Sequence, residues 1–146
     1  MNGGAKRGLE VDAEELIEDF SLFDDWQDRY RHLIEMGREL EPMDPVHKNE
    51  ITKVRGCVSQ VWMYAETNDS VPPTIKFIAD SDAHIVKGLI AVLIELYSER
   101  SAAEILATDI EAIFAEIGLD QHLSPNRRNG FFSMVQRIRT IAEANR

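Results

Sequence analysis

The chain has 146 residues, of which 44% are hydrophobic and 29% charged, and its formal net charge is −10. A chain of this length is expected to form a single domain that buries a core without disulfides or a structural metal. The excess of negative charge disfavours nucleic acid as a partner, and the longest apolar run, near residues 85–97, is too short to span a membrane.

The first ten residues lack the apolar segment of a signal peptide. We expect residues 1–10 to form a flexible tail and residues 11–146 to form one domain. The single cysteine excludes an internal disulfide and fits a reducing compartment, so a cytoplasmic protein is expected.

Two helices are predicted at the start of the domain, because apolar residues recur there at helical spacing. Asp12 and Glu15 have the spacing of a capping box for the first helix. Asp24 or Asp25 is expected to cap the second helix, which ends before Pro42.

Alternation and β-branching then predict three strands, over residues 50–55, 58–66 and 74–79, of which the last two form an antiparallel hairpin. Residues 82–97 predict a helix that is apolar on almost all sides and therefore central, with Asp80, Ser81 and Asp82 as candidate caps. Further helices are predicted over residues 101–107 and 109–117, the latter closed by Gly118, and from Pro125 or Asn126 onward. The predicted fold class is α+β, a small antiparallel three-stranded sheet packed by helices.

The sequence offers little for metal or phosphate chemistry. One cysteine and four dispersed histidines match no recognised ligand spacing, and the glycines form no phosphate-binding motif. The 26 acidic residues are too many for any pair to be informative. We therefore expect the chain to hold no metal, and nothing in the sequence supports nucleotide binding.

Cys57 is the residue whose surroundings point to chemistry. Gly56 precedes it and permits a tight chain reversal, so the thiol is expected on a loop. Lys48, Lys53 and Arg55 would lower the pKa of the thiol, whereas burial among the neighbouring apolar residues would raise it. A loop with two positions, sulfur inside at rest and outside when a partner docks, would reconcile these effects.

Several functions remain open for a lone thiol. A hydrolytic nucleophile needs a positioned base, for which His84 or His122 is available. A redox sensor often uses a resolving cysteine, and the chain has none. A sulfur carrier needs only one thiol, because a second would expel the cargo and close a disulfide. The plain alternative is a buried structural cysteine.

Three motifs carry a resemblance to a known family. The stretch V-R-G-C-V-S-Q-V-W at residues 54–62 resembles the active loop of the SufE family, which reads G-C-x-S-Q-V-W. Residues 80–91, D-S-D-A-H-I-V-K-G-L-I-A, are similar to the start of that family's central helix. Residues 119–130, L-D-Q-H-L-S-P-N-R-R-N-G, are similar to its Q-H-L-x-P-x-R-x-x-G segment, and the likeness extends over about residues 12–144.

The resemblance implies a fold shared with IscU-type scaffolds and a role in the biogenesis of iron–sulfur clusters. It implies that Cys57 accepts persulfide sulfur from a PLP-dependent cysteine desulfurase of the SufS or CsdA type, and that the chain stimulates this enzyme. The sulfur would then pass to a SufB-like cluster-assembly scaffold. The PLP would belong to the partner, and no cofactor is implied for this chain.

Four further residues are candidates for partner binding or for ordering the loop. Arg127 occupies the family's arginine position, which the resemblance implies is near the cysteine loop, although a solvated charge at a helix start is the alternative. Gln60 is expected to order the loop through its side-chain amide, and Arg55 and Gly56 are the two residues before Cys57. Asp82 is expected to be a helix cap and not a catalyst.

Overall fold

The computed structural model describes the backbone of residues 9–146 and the side chains from residue 12 onward. Most of the predicted tail, residues 1–8, therefore lies outside the described residues. The helices are α1 Leu9–Ser21, α2 Trp26–Arg38, α3 His84–Tyr97, α4 Ala102–Leu106, α5 Ile110–Ile117, α6 Leu119–His122 and α7 Pro125–Ala144. The strands are β1 Val61–Thr67, β2 Thr74–Ser81 and β3 Arg100–Ser101, and a 3-10 turn covers Pro45–His47.

The three strands form one antiparallel sheet in the order β1-β2-β3, which confirms the predicted α+β class. The predicted hairpin is also correct, with a register that runs from Val61 opposite Ser81 to Thr67 opposite Ile75. The predicted strand at residues 50–55 is wrong, because this segment makes only an isolated bridge between Lys53 and Trp62. The third strand is instead β3, which is too short to show any alternation in sequence.

Helix α3 is the centre of the core, as its apolar composition predicts. Ten of its 14 residues are buried, and it packs on α2 at a close crossing. A Cβ atom at Gly88 would lie 2.3 Å from the backbone oxygen of Leu33, so only glycine allows the two helices to approach this closely. No helix within the described residues is long and apolar enough to cross a membrane.

Local capping signals fix several helix ends. The Asp25 carboxylate accepts a hydrogen bond from the backbone N–H of Asp28 at the start of α2. Ser101 and Glu104 form a capping box on α4, and Gly118 closes α5 with a φ of +91°.

The capping role predicted for Asp12 is wrong. Helix α1 begins at Leu9, so Asp12 lies inside it, where its carboxylate is buried and paired with the guanidinium of Arg100. Arg100 also donates to the backbone oxygen of Leu96. Burial of both charges is tolerated because each is hydrogen-bonded, and the pair joins α1 to the edge of the sheet.

Candidate functional site

The loop that carries Cys57 is closed at its base by the bridge between Lys53 and Trp62, which two backbone hydrogen bonds form. The Val54 N–H donates to the Val61 oxygen, and the Met63 N–H donates to the Thr52 oxygen, each at 2.8 Å. The residues between them form a short loop in which Gly56 has a φ of +88°. This angle lies in the left-handed region that favours glycine, as the predicted reversal requires.

Helix α7 forms the wall on which the loop rests. A Cβ atom at Gly56 would lie 2.5 Å from Ser133 Oγ, so the loop backbone touches the helix there. One turn earlier, the Cys57 thiol donates to the Gly130 carbonyl oxygen, with sulfur and oxygen 3.6 Å apart. The sulfur lies close to Gly130, where even a Cβ atom would be 3.5 Å from Sγ, an ordinary van der Waals distance.

Cys57 is half-buried and lines a pocket with a volume of about 370 Å³. The buried side chains of this pocket are apolar and belong to α3 and α7: Val86, Leu89, Phe131 and Met134. Its exposed side combines polar residues at the start of α7, Ser124, Asn126 and Arg127, with Val58 of the loop. The thiol therefore stands between an apolar interior and a largely polar mouth.

Burial raises the pKa of the Cys57 thiol above its ordinary value. The cations that precede it in sequence do not reverse this effect, and two of the three have acidic partners of their own. Arg55 is exposed and pairs with Glu50 at 3.3 Å, and Lys48 pairs with Asp80 at 3.0 Å. The resting state at neutral pH is therefore a protonated, half-buried thiol.

Asp80 joins the segment before the loop to β2. Burial alone would raise the pKa of its carboxyl group, but the hydrogen bond from Lys48, the Ser81 N–H and the charge of Lys87 together lower it. The Lys48 ammonium also lies 5.1 Å from the ring centroid of Trp62, a cation–π contact.

Gln60 and Asp82 act differently from their predicted roles. Within the described residues the Gln60 side chain makes no hydrogen bond. The backbone N–H of Gln60 donates to the Asp82 carboxylate at 3.0 Å, and the backbone oxygen of Gln60 accepts from Ser81 Oγ at 2.7 Å. Asp82 is not the cap of α3, whose N-cap residue is Ala83 and has no side-chain cap. The Asp82 carboxylate instead fixes the C-terminal end of the Cys57 loop.

Helix α7 supplies the neighbours of the thiol that sequence reasoning missed. Arg127, which the sequence predicted, lines the pocket mouth with an exposed side chain. Its backbone N–H donates to the side chain of Ser124, the cap of α7. Gly130, Ser133 and Arg137 were not predicted, although spacings of three and four residues place them on one helix face. The Arg137 guanidinium donates to the backbone oxygens of Lys53 and Ile51, at 3.2 and 2.8 Å.

The histidines considered as catalytic bases lie elsewhere. None of the four lines the Cys57 pocket. The His122 ring stacks on Trp26, with centroids 4.7 Å apart, and His84 lines a separate pocket. In the part of the chain that the structure describes, no three His, Cys, Asp or Glu side chains are grouped so that they could hold a metal ion. The site is therefore a thiol without an adjacent histidine.

Comparison with known proteins matches this chain along most of its length. The family model described as "SufE: Fe-S metabolism associated domain" matches residues 14–142. An uncharacterized SufE-like protein of Rhizobium meliloti is 44% identical over 131 residues, which are 89% of this chain and 94% of the relative. A second, from Rhizobium etli, is 46% identical over 131 residues, which are 89% of this chain and 88% of the relative.

One solved structure has a similar fold. It is the solution structure of a hypothetical protein from Thermus thermophilus, with a TM-score of 0.74 and 18% sequence identity. The match covers 92% of this chain and 95% of that one. At this level of identity the likeness concerns the fold alone.

Proposed function

The chain belongs to the SufE family of Fe-S metabolism associated domains, and on that premise we propose that Cys57 is a sulfur acceptor. It takes persulfide sulfur from a PLP-dependent cysteine desulfurase, stimulates that enzyme, and delivers the sulfur to a scaffold for iron–sulfur cluster assembly. The observation that carries the proposal is the position of the chain's only cysteine, half-buried at a glycine-containing loop and open to a pocket.

The transfer is a thiol exchange. Cys57 loses its proton to solvent, and its thiolate attacks the outer sulfur of the donor's persulfide. The bond between the two sulfurs of the donor breaks, the donor cysteine leaves as a thiolate, and Cys57 now carries S–SH. A thiolate of the acceptor then attacks this outer sulfur, and Cys57 returns to its starting state. The transferred sulfur keeps its oxidation state, so no external oxidant or reductant is required.

The surroundings of Cys57 suit both the resting and the loaded state. Burial keeps the unloaded group as a thiol, which is a weaker nucleophile than a thiolate. A water molecule occupies about 30 Å³ in the liquid, so a pocket of about 370 Å³ has room for one more sulfur atom. Movement of the loop into a partner would remove the burial that raises the pKa and would thereby activate the sulfur for attack.

The surface near the loop supports a protein partner. Apolar side chains exposed on the segment around Cys57 are Val46, Ile51 and Val58, at 71%, 85% and 79%. These side chains are available for contact with a partner that docks on the loop. We place the exchange in the cytoplasm, where a single cysteine would remain reduced.

Intact-mass measurement tests the proposal directly. The chain is incubated with a PLP-dependent cysteine desulfurase and cysteine, and the expected result is a gain of one sulfur atom that localises to Cys57. Cys57→Ser should gain none and should show no stimulation of sulfur turnover. If the wild-type chain gains no sulfur from desulfurases of either the SufS or the CsdA type, sulfur carriage is refuted.

The half-burial of Cys57 also favours a second candidate, a noncatalytic module that activates a desulfurase and uses the cysteine only for packing. In that case Cys57→Ser would stimulate the desulfurase as well as the wild-type chain does, and neither protein would gain sulfur. A thiol hydrolase has no comparable support, because no histidine lines the pocket in the described chain.

A further inference from the structure

The segment just before the Cys57 loop, residues 51–54, has one edge paired with the sheet and one edge facing outward. Its even-numbered residues bond to β1, through the Val54 N–H and the Thr52 oxygen. The oxygens of Ile51 and Lys53 do not bond to β1 and instead face helix α7. Unpaired backbone groups at such an edge are a source of instability unless something covers them.

Arg137 covers this edge. One guanidinium nitrogen donates to the Lys53 oxygen at 3.2 Å, and another donates to the Ile51 oxygen at 2.8 Å. The planar guanidinium presents donors in a fixed fork, which suits two oxygens on the same edge. Among the ion pairs of the described residues none includes Arg137, so the two backbone oxygens are the partners that hold its charged group.

Residues on one face of α7 contact the Cys57 loop and the segment before it, and later residues of the helix contact earlier residues of the chain. Gly130 accepts from the Cys57 thiol, and Ser133 touches Gly56. Arg137, one further turn along, holds residues 51 and 53. The chain before Cys57 thus runs back along the same helix that forms a wall of the pocket.

We propose that Arg137 is a positioning residue that fixes the N-terminal base of the Cys57 loop against α7 and so sets the resting burial of the sulfur. The backbone hydrogen bonds of Gln60 with Asp82 and Ser81 fix the other end of the loop. Only the residues between these two anchors, 55–59, then need to move when sulfur is transferred. This inference rests on the proposed function for its biological meaning, but the anchoring itself is tested without any partner.

The test measures how fast Cys57 reacts with iodoacetamide in the full-length chain. Arg137→Met keeps most of the apolar stem and removes both donors, and Arg137→Lys keeps the charge without the fork. Loss of a charge-assisted hydrogen bond corresponds to about a tenfold change in an equilibrium. Arg137→Met should therefore raise the alkylation rate about tenfold or more, and Arg137→Lys should give an intermediate rate.

Arg139→Met is the matched control. Arg139 lies on the same helix and also donates to a backbone oxygen, that of Leu106, on α4. In the Arg139→Met variant, Cys57 should be alkylated at the wild-type rate. Urea unfolding is measured for every variant, and alkylation at low urea should change little with urea concentration, because a local opening exposes little surface.

The proposal is overturned if Arg137→Met alkylates at the wild-type rate, or if Arg139→Met accelerates alkylation equally. It is also overturned if the acceleration in Arg137→Met rises steeply with urea, since global unfolding would then be the route. Sulfur uptake from a desulfurase is measured separately by intact mass. A chain that shows the expected alkylation pattern but never gains sulfur would support the anchor and refute the proposed function.

Discussion

Replacement of Gly56 by alanine tests whether the loop conformation keeps Cys57 buried. Gly56 has a φ of +88°, where a Cβ atom costs about 1–2 kcal/mol. The new Cβ would also lie 2.5 Å from Ser133 Oγ, so the serine side chain or the loop must shift. Among the described residues, the tip of the loop is held to α7 by a weak thiol hydrogen bond to Gly130, and therefore we expect it to open locally while the rest of the domain stays folded.

A backbone cost of about 1–2 kcal/mol corresponds to a change of about 5- to 30-fold in an equilibrium constant. Gly56→Ala should accordingly raise the alkylation rate of Cys57 by about that factor, with a smaller change in the free energy of unfolding. Adding Ser133→Ala removes the Oγ contact but leaves the φ strain. The double variant should therefore react at a rate between those of wild type and Gly56→Ala.

Gly118→Ala is the control for backbone strain by itself. Gly118 has a similar φ of +91° but lies at the end of α5, where its Cβ would meet Arg29 Nη1 at 2.7 Å. This variant should lower the free energy of unfolding without changing the alkylation rate of Cys57. Equal alkylation rates in wild type and Gly56→Ala would show that the glycine does not hold the loop closed.

Three further substitutions test the packing and the charges around the site. Gly130→Ala should be tolerated, since its Cβ would lie 3.5 Å from the sulfur of Cys57 and alanine favours helix over glycine by about 1 kcal/mol. Gly130→Leu should instead displace the thiol and speed its alkylation. Equal alkylation rates in the two variants would contradict the contact between Gly130 and Cys57. Gly88→Ala places a Cβ 2.3 Å from the oxygen of Leu33 and should lower the free energy of unfolding by about 1–3 kcal/mol, which urea denaturation measures. The pKa of Asp80 in the folded protein is lowered from its ordinary value of 3.8. The ionised carboxylate therefore stabilises the fold fully above pH 3.8, and this stabilisation is lost as the pH falls through the lowered folded-state pKa. Asp80→Asn should thus be less stable than wild type at neutral pH, and its unfolding free energy should fall less between about pH 5 and pH 2. If the unfolding free energies of the variant and the wild type fall in parallel over this range, a stabilising role for this carboxylate is excluded.

Local features of the sequence predicted the helices well. Asp25 and Asp109 cap α2 and α5 through bonds to N–H groups three residues away, and Gly118 ends α5. Each of these interactions lies within one turn of helix, so nearby residues suffice to predict it. The hairpin of β1 and β2 was predictable for the same reason, since its strands are adjacent in sequence and joined by strong turn residues.

Interactions between distant segments explain the wrong predictions. The strand expected at residues 50–55 is only a bridge, with Arg137 hydrogen-bonded to its outer edge from 84 residues away in sequence. Asp12 has the spacing of a cap, but it pairs with Arg100, 88 residues further on. No local pattern of residues contains these contacts, because they depend on which segments the fold brings together.

The sequence by itself determined that this protein has one thiol, that a glycine reversal presents it, and that three motifs resemble those of the SufE family. The tertiary structure decided the state of that thiol, because Gly130, which receives its hydrogen bond, lies 73 residues away. Burial against α7 raises the pKa of Cys57, whereas two of the cations that precede it in sequence, Arg55 and Lys48, are paired with Glu50 and Asp80. Desolvation depends on every group that surrounds an atom in three dimensions, and adjacency along the chain specifies only a few of them.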